Sequence, residues 1–277
     1  MRVSSIQPPA VGDASFDEYY YAHCCGDPYT RSEGLLRFFG GIADRIASDI
    51  APKTVLDAGC AIGMLVEALR ARGIDASGID LSSYAIGQIG EPLRAYCRHG
   101  SIADELTGGY DLIVCLEVLE HMPPREAEAA IANFCRHTDD VLFSSSPLDY
   151  KEPTHINVHP PEHWAEAFAR HGFYRDVDFD APHITPWAAR FRRGTEPAHR
   201  IVRDYERKFW ELKLESNHTR EYSMQLQRTI QQMQDARPAL EQTRAALDDA
   251  ATKLAQAHDR IAHMERSFFW RLRGLFR

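Results

Sequence analysis

The stretch Val55-Leu56-Asp57-Ala58-Gly59-Cys60-Ala61-Ile62-Gly63 runs from a short apolar segment straight into a turn punctuated by glycine. Such a turn joins a buried strand to a helix, and its glycines let backbone amides approach a ligand closely. The pattern then alternates. It predicts strand over 54–58, helix 63–72, strand 76–81, helix 83–89, a short strand near 95–98, strand 111–116, helix 124–136 and strand 140–146. A helix over 161–171, after Pro160-Pro161, and a strand over 173–179 follow. Alternating strands and helices imply an α/β domain with a mostly parallel sheet and helices on both faces.

Upstream, residues 1–33 are irregular and rich in tyrosine, and read as a lid segment. Leu35, Phe38, Phe39, Ile42, Ile46 and Ile50 then recur at helical spacing, so a lead-in helix opens a domain spanning 34–195. The chain has 277 residues, 44% hydrophobic and 26% charged, enough to bury a substantial core. A net charge of −8 argues against general nucleic-acid binding, which calls for a basic stripe. The cysteines at 24, 25, 60, 97, 115 and 135 form no Cys-X-X-Cys pair, so free thiols fit better than zinc or a disulfide framework. Met1 to Ser15 lacks a signal-peptide core and no segment reaches membrane-spanning length, which predicts a cytoplasmic protein.

The last third differs in kind. Leu212, Thr219, Leu226, Met233, Leu240, Leu247, Leu254 and Ile261 repeat every seven residues, with Tyr222, Thr229, Ala236, Thr243, Ala250, Ala257 and Met264 three residues later. This seam predicts a coiled coil over 196–266 and a homo-oligomer. An unbroken helix from 200 to 266 would extend roughly 100 Å at about 1.5 Å per residue. Pro238 either kinks it or restarts it with Asp235 as cap, with a hairpin as the folded-back alternative. The tail, 267–277, mixes arginines with Phe268, Phe269, Trp270, Leu272, Leu275 and Phe276. That composition suits either the inner face of the cytoplasmic membrane or a packed coiled-coil terminus.

Details of the glycine turn narrow the ligand. Asp57 directly precedes it, and Gly59-X-X-X-Gly63 replaces the pattern that seats a pyrophosphate. An acid there suits a zwitterion carrying an ammonium group. Asp80, at the end of the second strand, can accept hydrogen bonds from both hydroxyls of a ribose. Over roughly residues 30–180 the chain resembles the class I S-adenosylmethionine-dependent methyltransferases. The stretch from Val55 to Gly63 is similar to their first motif, Gly78-Ile79-Asp80-Leu81-Ser82 to their ribose-binding step, and Tyr110-Asp111-Leu112-Ile113-Val114 to their fourth-strand motif. The resemblance implies a Rossmann-like methyltransferase fold and S-adenosylmethionine as cofactor. It places Asp57, Gly59, Cys60, Ala61 and Gly63 around the methionine moiety, Asp80 and Leu81 at the ribose and adenine, and Leu116 on the floor. Ala61 replaces a common glycine, and Ser101 stands where an aspartate often meets the adenine amino group. Adenine recognition therefore falls to the Ser101 hydroxyl, the Ile102 amide or a displaced Asp104. Tyr29 and Arg31 resemble lid residues that close over the cofactor carboxylate, the alternative being a packed tyrosine and a surface arginine.

A second motif, Glu117-Val118-Leu119-Glu120-His121, follows the apolar strand over 111–116. If a helical turn begins there, Glu117, Glu120 and His121 share one side. An aliphatic hydroxyl accepts a methyl group only with a positioned base or a metal that lowers its pKa. Two carboxylates and imidazole suit magnesium or manganese. The motif resembles the metal site of small-RNA terminal 2′-O-methyltransferases and ubiquinone-pathway O-methyltransferases, and that resemblance implies His155 as fourth ligand beside Glu117, Glu120 and His121. The alternative is a helix cap without metal, leaving His121 or His155, with Glu120, as the catalytic base group. A three-histidine cluster with His159 and His163 is opposed by Pro160-Pro161.

The domain also resembles methyltransferases of bacterial polysaccharide biosynthesis, and the coiled coil with a basic aromatic tail resembles chain-terminating enzymes of O-antigen synthesis. These resemblances imply an O-methyltransferase acting on a sugar hydroxyl of a surface glycan or its lipid-linked precursor, with glycosyltransferase partners. The alternatives are the same chemistry on a small metabolite or an RNA 3′ end, and a non-catalytic coiled-coil scaffold.

Overall fold

The structure, a computed structural model, describes residues 11–275, with side chains to Met264. Helix α1 (Glu18–His23) is capped by Asp17, which accepts from the Tyr20 amide, and α2 (Glu33–Arg45) by Ser32, which accepts from Leu35. A π-helical segment, Ile46–Ile50, leads into β1 (Thr54–Ala58). Then come α3 (Met64–Arg70), β2 (Asp75–Asp80), α4 (Ser83–Gly87), β3 (Cys97–His99), β4 (Leu112–Leu116) and a 3-10 turn (Leu119–His121). Helix α5 (Pro124–His137), β5 (Asp140–Ser144), α6 (Pro161–Ala169), β6 (Phe173–Arg175), β7 (Ala189–Arg193) and α7 (Ala198–Leu275) complete the order.

Seven strands form one sheet in the order β3-β2-β1-β4-β5-β7-β6. The first five strands run parallel, and β7 is antiparallel to both β5 and β6. Alternation along the strands builds a core on each face. Leu56, Ile113 and Phe143 pack with Phe134, Trp164 and Phe168 on one side, and Val55, Val114 and Leu142 with Ile42, Leu65 and Leu69 on the other. Full burial of each such side chain contributes about 1.5–3 kcal/mol. The chain progresses outward from β1 in one direction and from β4 in the other, so the crevice at their carboxyl ends is the switch point where open α/β sheets bind ligands.

The edge of the sheet departs from expectation. The strand predicted over 173–179 is only three residues long, and β7 has no counterpart in the sequence reading. Arginines occupy alternate positions of β7 and mask its apolar face, Ala189 and Phe191. Arg190 is half-buried there only because Asp140 on β5 forms a paired ion bridge with it.

The chain divides into two compact units, Met1–Lys208 and Phe209–Arg277. The first includes the start of α7, where Arg207 bonds Asp178 and the Tyr205 hydroxyl accepts from the Arg175 amide. The second is helical from Phe209 to Leu275 and passes through Pro238 without interruption. The hairpin alternative therefore does not hold. A break would leave eight further backbone groups without partners, whereas an internal proline removes one hydrogen bond. Side chains of the basic aromatic tail, and the first ten residues of the lid segment, lie outside the described residues. Among the described residues no helix is long and apolar enough to cross a membrane.

Candidate active site

A cavity of about 530 Å³ opens at the carboxyl ends of β1 and β4, under a roof of N-terminal aromatic residues. Ser82 donates its hydroxyl to the Phe16 carbonyl and the Ser83 amide donates to Asp13, which ties the lid segment to the start of α4. Tyr21 stacks on Tyr84, and Phe16 meets the His121 ring edge-on at 5.7 Å.

One half of the cavity is built by the glycine turn. The Gly59 and Cys60 amides donate to the Ile79 carbonyl, which welds the turn to β2. Gly59 has φ +94°, and a Cβ there would lie 2.3 Å from a Val118 methyl, so no side chain fits. The Ala61 and Ser82 amides donate to the two oxygens of Asp80 at 2.7 Å each. Asp57 is 5% exposed and makes no side-chain hydrogen bond among the described residues. Burial, with the neighbouring Asp80 charge, pushes its carboxyl up to about 8. Burial also raises Asp80. Leu81, Ser101, Ile102, Leu116 and Tyr29 line the same cavity, as do Gly59, Cys60 and Ala61. The Ile102 amide has no partner among the described residues, while Asp104 is not part of the lining. Two residues of the expected set stand apart. Gly63 caps α3 and packs against Ile89, Leu93 and Cys97, and Arg31 is paired with Glu67 at 2.7 Å, outside the lining.

The other half carries the ionisable cluster. The expected helical turn does not start at Glu117, which leaves β4 in the left-handed region with φ 54°. The 3-10 turn begins at Leu119, so the three residues do not share one face of a helical turn. Glu117 accepts from the Trp187 indole at 2.9 Å, and Glu120 turns inward. Glu120 is fully buried, accepts from the Ser146 amide through Oε1 and leaves Oε2 without a partner. Burial and the Glu117 charge hold its carboxyl well above the usual range. Ligand atoms of Glu120, His121 and His155 all lie within 4.8 Å of one another; Glu117 lines the cavity outside that group. Burial, with His155 beside it, pushes the His121 imidazole down to about 3, so it is neutral near pH 7. His159 and His163 stack on each other at 3.7 Å and do not line the cavity.

His155 reaches the cluster because the loop after β5 is stapled to the 3-10 turn. The Asn157 amide donates to the Glu120 carbonyl and its side chain to the Leu119 carbonyl. That loop also brings Glu152, absent from the sequence reading, within 3.6 Å of His155 and 3.7 Å of His121. Its local signal, an isolated acid in a polar loop, is no different from that of a solvated residue. Ser144 and Thr185 add buried hydroxyls without partners to the lining.

The family model described as a methyltransferase domain matches residues 31–176. Curated relatives include ubiquinone biosynthesis O-methyltransferases of Aromatoleum aromaticum, 36% identical over 111 residues, and of Chromobacterium violaceum, 40% identical over 111 residues. Each match covers 37% of this chain and 47% of the relative, so the chain spans about half the length of the curated relatives it matches. Among solved structures, magnesium protoporphyrin IX methyltransferase from Synechocystis PCC 6803 with bound SAM aligns at a TM-score of 0.51 and 21% identity, covering 68% of this chain and all of that one. That likeness establishes the α/β fold. Because the family match takes in just over half of the chain and holds both the glycine turn and the acid-histidine cluster, the protein belongs to the methyltransferase-domain family.

Proposed function

We propose that the protein is an S-adenosylmethionine-dependent O-methyltransferase acting on a hydroxyl acceptor. The observation that carries the reading is that one cavity is lined both by a partnerless buried carboxyl, Asp57, and by His121 and His155, with the fully buried Glu120 beside the two imidazoles. Asp57 fits the ammonium of the cofactor, Asp80 the ribose hydroxyls and the free Ile102 amide the adenine edge. Bound there, S-adenosylmethionine supplies a sulfonium methyl group that an acceptor oxygen displaces as the carbon–sulfur bond breaks. The protein's share is to exclude water with the aromatic roof, orient the acceptor and receive its proton. A neutral histidine of the cluster can take that proton. The orphaned Glu120 oxygen and the two imidazoles are also a donor set suited to magnesium or manganese, which would lower the pKa of the hydroxyl.

The acceptor we favour is a sugar hydroxyl of a surface glycan or its lipid-linked precursor, with glycosyltransferases as partners. The polar side chains that line this half of the cavity, Glu117, His121, Asp149, Glu152 and His155, support a polyhydroxylated ligand. The seam of the second unit supports self-association. Leu226, Met233, Leu240, Leu247, Leu254 and Ile261 are 49 to 70% exposed in the single chain. Small residues beside them, Ala236, Ala250 and Ala257, let a second copy approach closely. The tail composition supports contact with an inner membrane face. A phenolic small molecule is the second reading, favoured by the aromatic roof and by the names of the curated relatives.

Turnover of S-adenosylmethionine against glycan fractions and phenols, with and without EDTA and added manganese, tests the reading. Transfer to glycan supports it, transfer to phenols alone selects the second, and absence of transfer to either overturns both. EDTA-insensitive transfer removes the metal and keeps the histidine base.

A further inference from the structure

The cluster contains a hydrogen-bond chain whose directions can be read from its chemistry. Glu152 has side-chain exposure of 9%, and its Oε2 accepts from the Thr154 amide at 2.9 Å. The Thr154 hydroxyl lies 2.6 Å from the same oxygen and 2.7 Å from Nδ1 of His121. A hydroxyl has a single proton to donate, and a carboxylate oxygen accepts. The Thr154 proton therefore goes to Glu152, and the hydroxyl lone pair must receive Nδ1–H of His121. His155 is fixed by the same logic, because its Nδ1 faces the Asp149 carbonyl at 2.8 Å and a carbonyl only accepts.

We propose that Glu152 and Thr154 are a positioning pair that locks His121 as its Nδ1–H tautomer, so that Nε2 presents a lone pair to the acceptor site. The inference rests on the O-methyltransferase reading of this cavity and adds to it two residues that act through His121. Without the lock a neutral imidazole exchanges its proton between nitrogens, and in the Nε2–H form Nε2 has no lone pair with which to take the acceptor's proton or ligate a cation. Outer partners of this kind fix the tautomer and ring orientation of a ligating or proton-accepting histidine. Glu152 contributes a second property. Its Oε1 is buried without a partner, so Thr154 supplies the hydrogen bonds that the carboxylate accepts among the described residues.

The test is long-range proton–nitrogen NMR on the full chain labelled with 15N-histidine, with the His121 signals assigned by their loss in His121→Asn. The wild type should show His121 protonated at Nδ1 and bare at Nε2. Thr154→Val, close in shape but without the hydroxyl, should move the proton wholly or partly to Nε2, and Thr154→Ser should restore the wild-type pattern. Mn2+ affinity, read from the EPR signal of the free ion, should fall about tenfold to a hundredfold in Thr154→Val and stay within about threefold in Thr154→Ser. An Nε2–H His121 in the wild type, or an unmoved tautomer in Thr154→Val, overturns the proposal. If Thr154→Val fails to bind S-adenosylmethionine and so is misfolded, the wild-type tautomer and the serine variant still decide it. A wild type with the Nδ1–H tautomer and no manganese binding refutes the metal while leaving the lock in place.

Discussion

Asp57 gives the sharpest test of the cofactor site, because its charge state before binding differs from the one the ligand needs. Burial and Asp80 push its carboxyl up to about 8, so in the free protein it holds its proton at neutral pH. An incoming ammonium requires the ionised form, and binding must release that proton. Removing it costs about 3 kcal/mol at pH 6 and about 1 kcal/mol at pH 7, at roughly 1.4 kcal/mol per unit. The charge-assisted hydrogen bond gained is worth about 1.5–3 kcal/mol. Affinity for S-adenosylmethionine should therefore rise about tenfold from pH 6 to pH 7, with close to one proton released per ligand. Asp57→Asn keeps the shape and removes the proton. Its affinity should be nearly flat over the same range, close to wild type at pH 6 and about tenfold weaker at pH 7. Calorimetric titration in two buffers of different ionisation enthalpy reads both affinity and proton release. Parallel pH profiles for the two proteins, or no proton release by the wild type, would refute the reasoning.

Glu120→Gln should leave the fold intact or make it more stable, because the buried carboxyl already favours its neutral form, while methyl transfer falls about a hundredfold or more. Since its folded pKa is raised, the native state binds the extra proton, and wild-type stability should decline as pH rises above the ordinary carboxyl range; the variant should show a shallower decline in thermal unfolding. Gly59→Ala places a methyl 2.3 Å from Val118 at φ +94°, and should cost about 1–3 kcal/mol in urea unfolding, with partial recovery in the double variant with Val118→Ala. If the exposed seam pairs two copies as proposed, the wild type should sediment as an oligomer and Leu240→Asp with Leu247→Asp as a monomer, with cofactor affinity unchanged; a wild type that sediments as a monomer would remove the coiled-coil reading.

Much of the domain is legible from local pattern. The runs around Val55, Ile113 and Leu142 are buried on both faces and so read as uninterrupted apolar strands, and Asp57, Gly59 and Asp80 follow from turn chemistry adjacent to them. Strand β7 escapes because its arginines are neutralised by residues far away in the chain, Asp140 and Asp176. Arg31 is equally opaque, since Glu67, the residue that holds it, is a helix away.

The acid-histidine cluster marks the boundary most clearly. Sequence alone determined that Glu117, Glu120 and His121 follow the fourth strand, because that depends only on spacing along one segment. It could not determine their directions, which hang on a single left-handed φ at Glu117 and on where the 3-10 turn begins. Nor could it assemble Glu152, Thr154 and His155 beside them. The Asn157 hydrogen bonds that pin their loop to the turn span more than thirty residues, and only the folded chain brings such partners within reach. Periodicity encodes which face of an element is buried, whereas which polar groups meet in a cavity is decided by loops whose paths no local rule specifies.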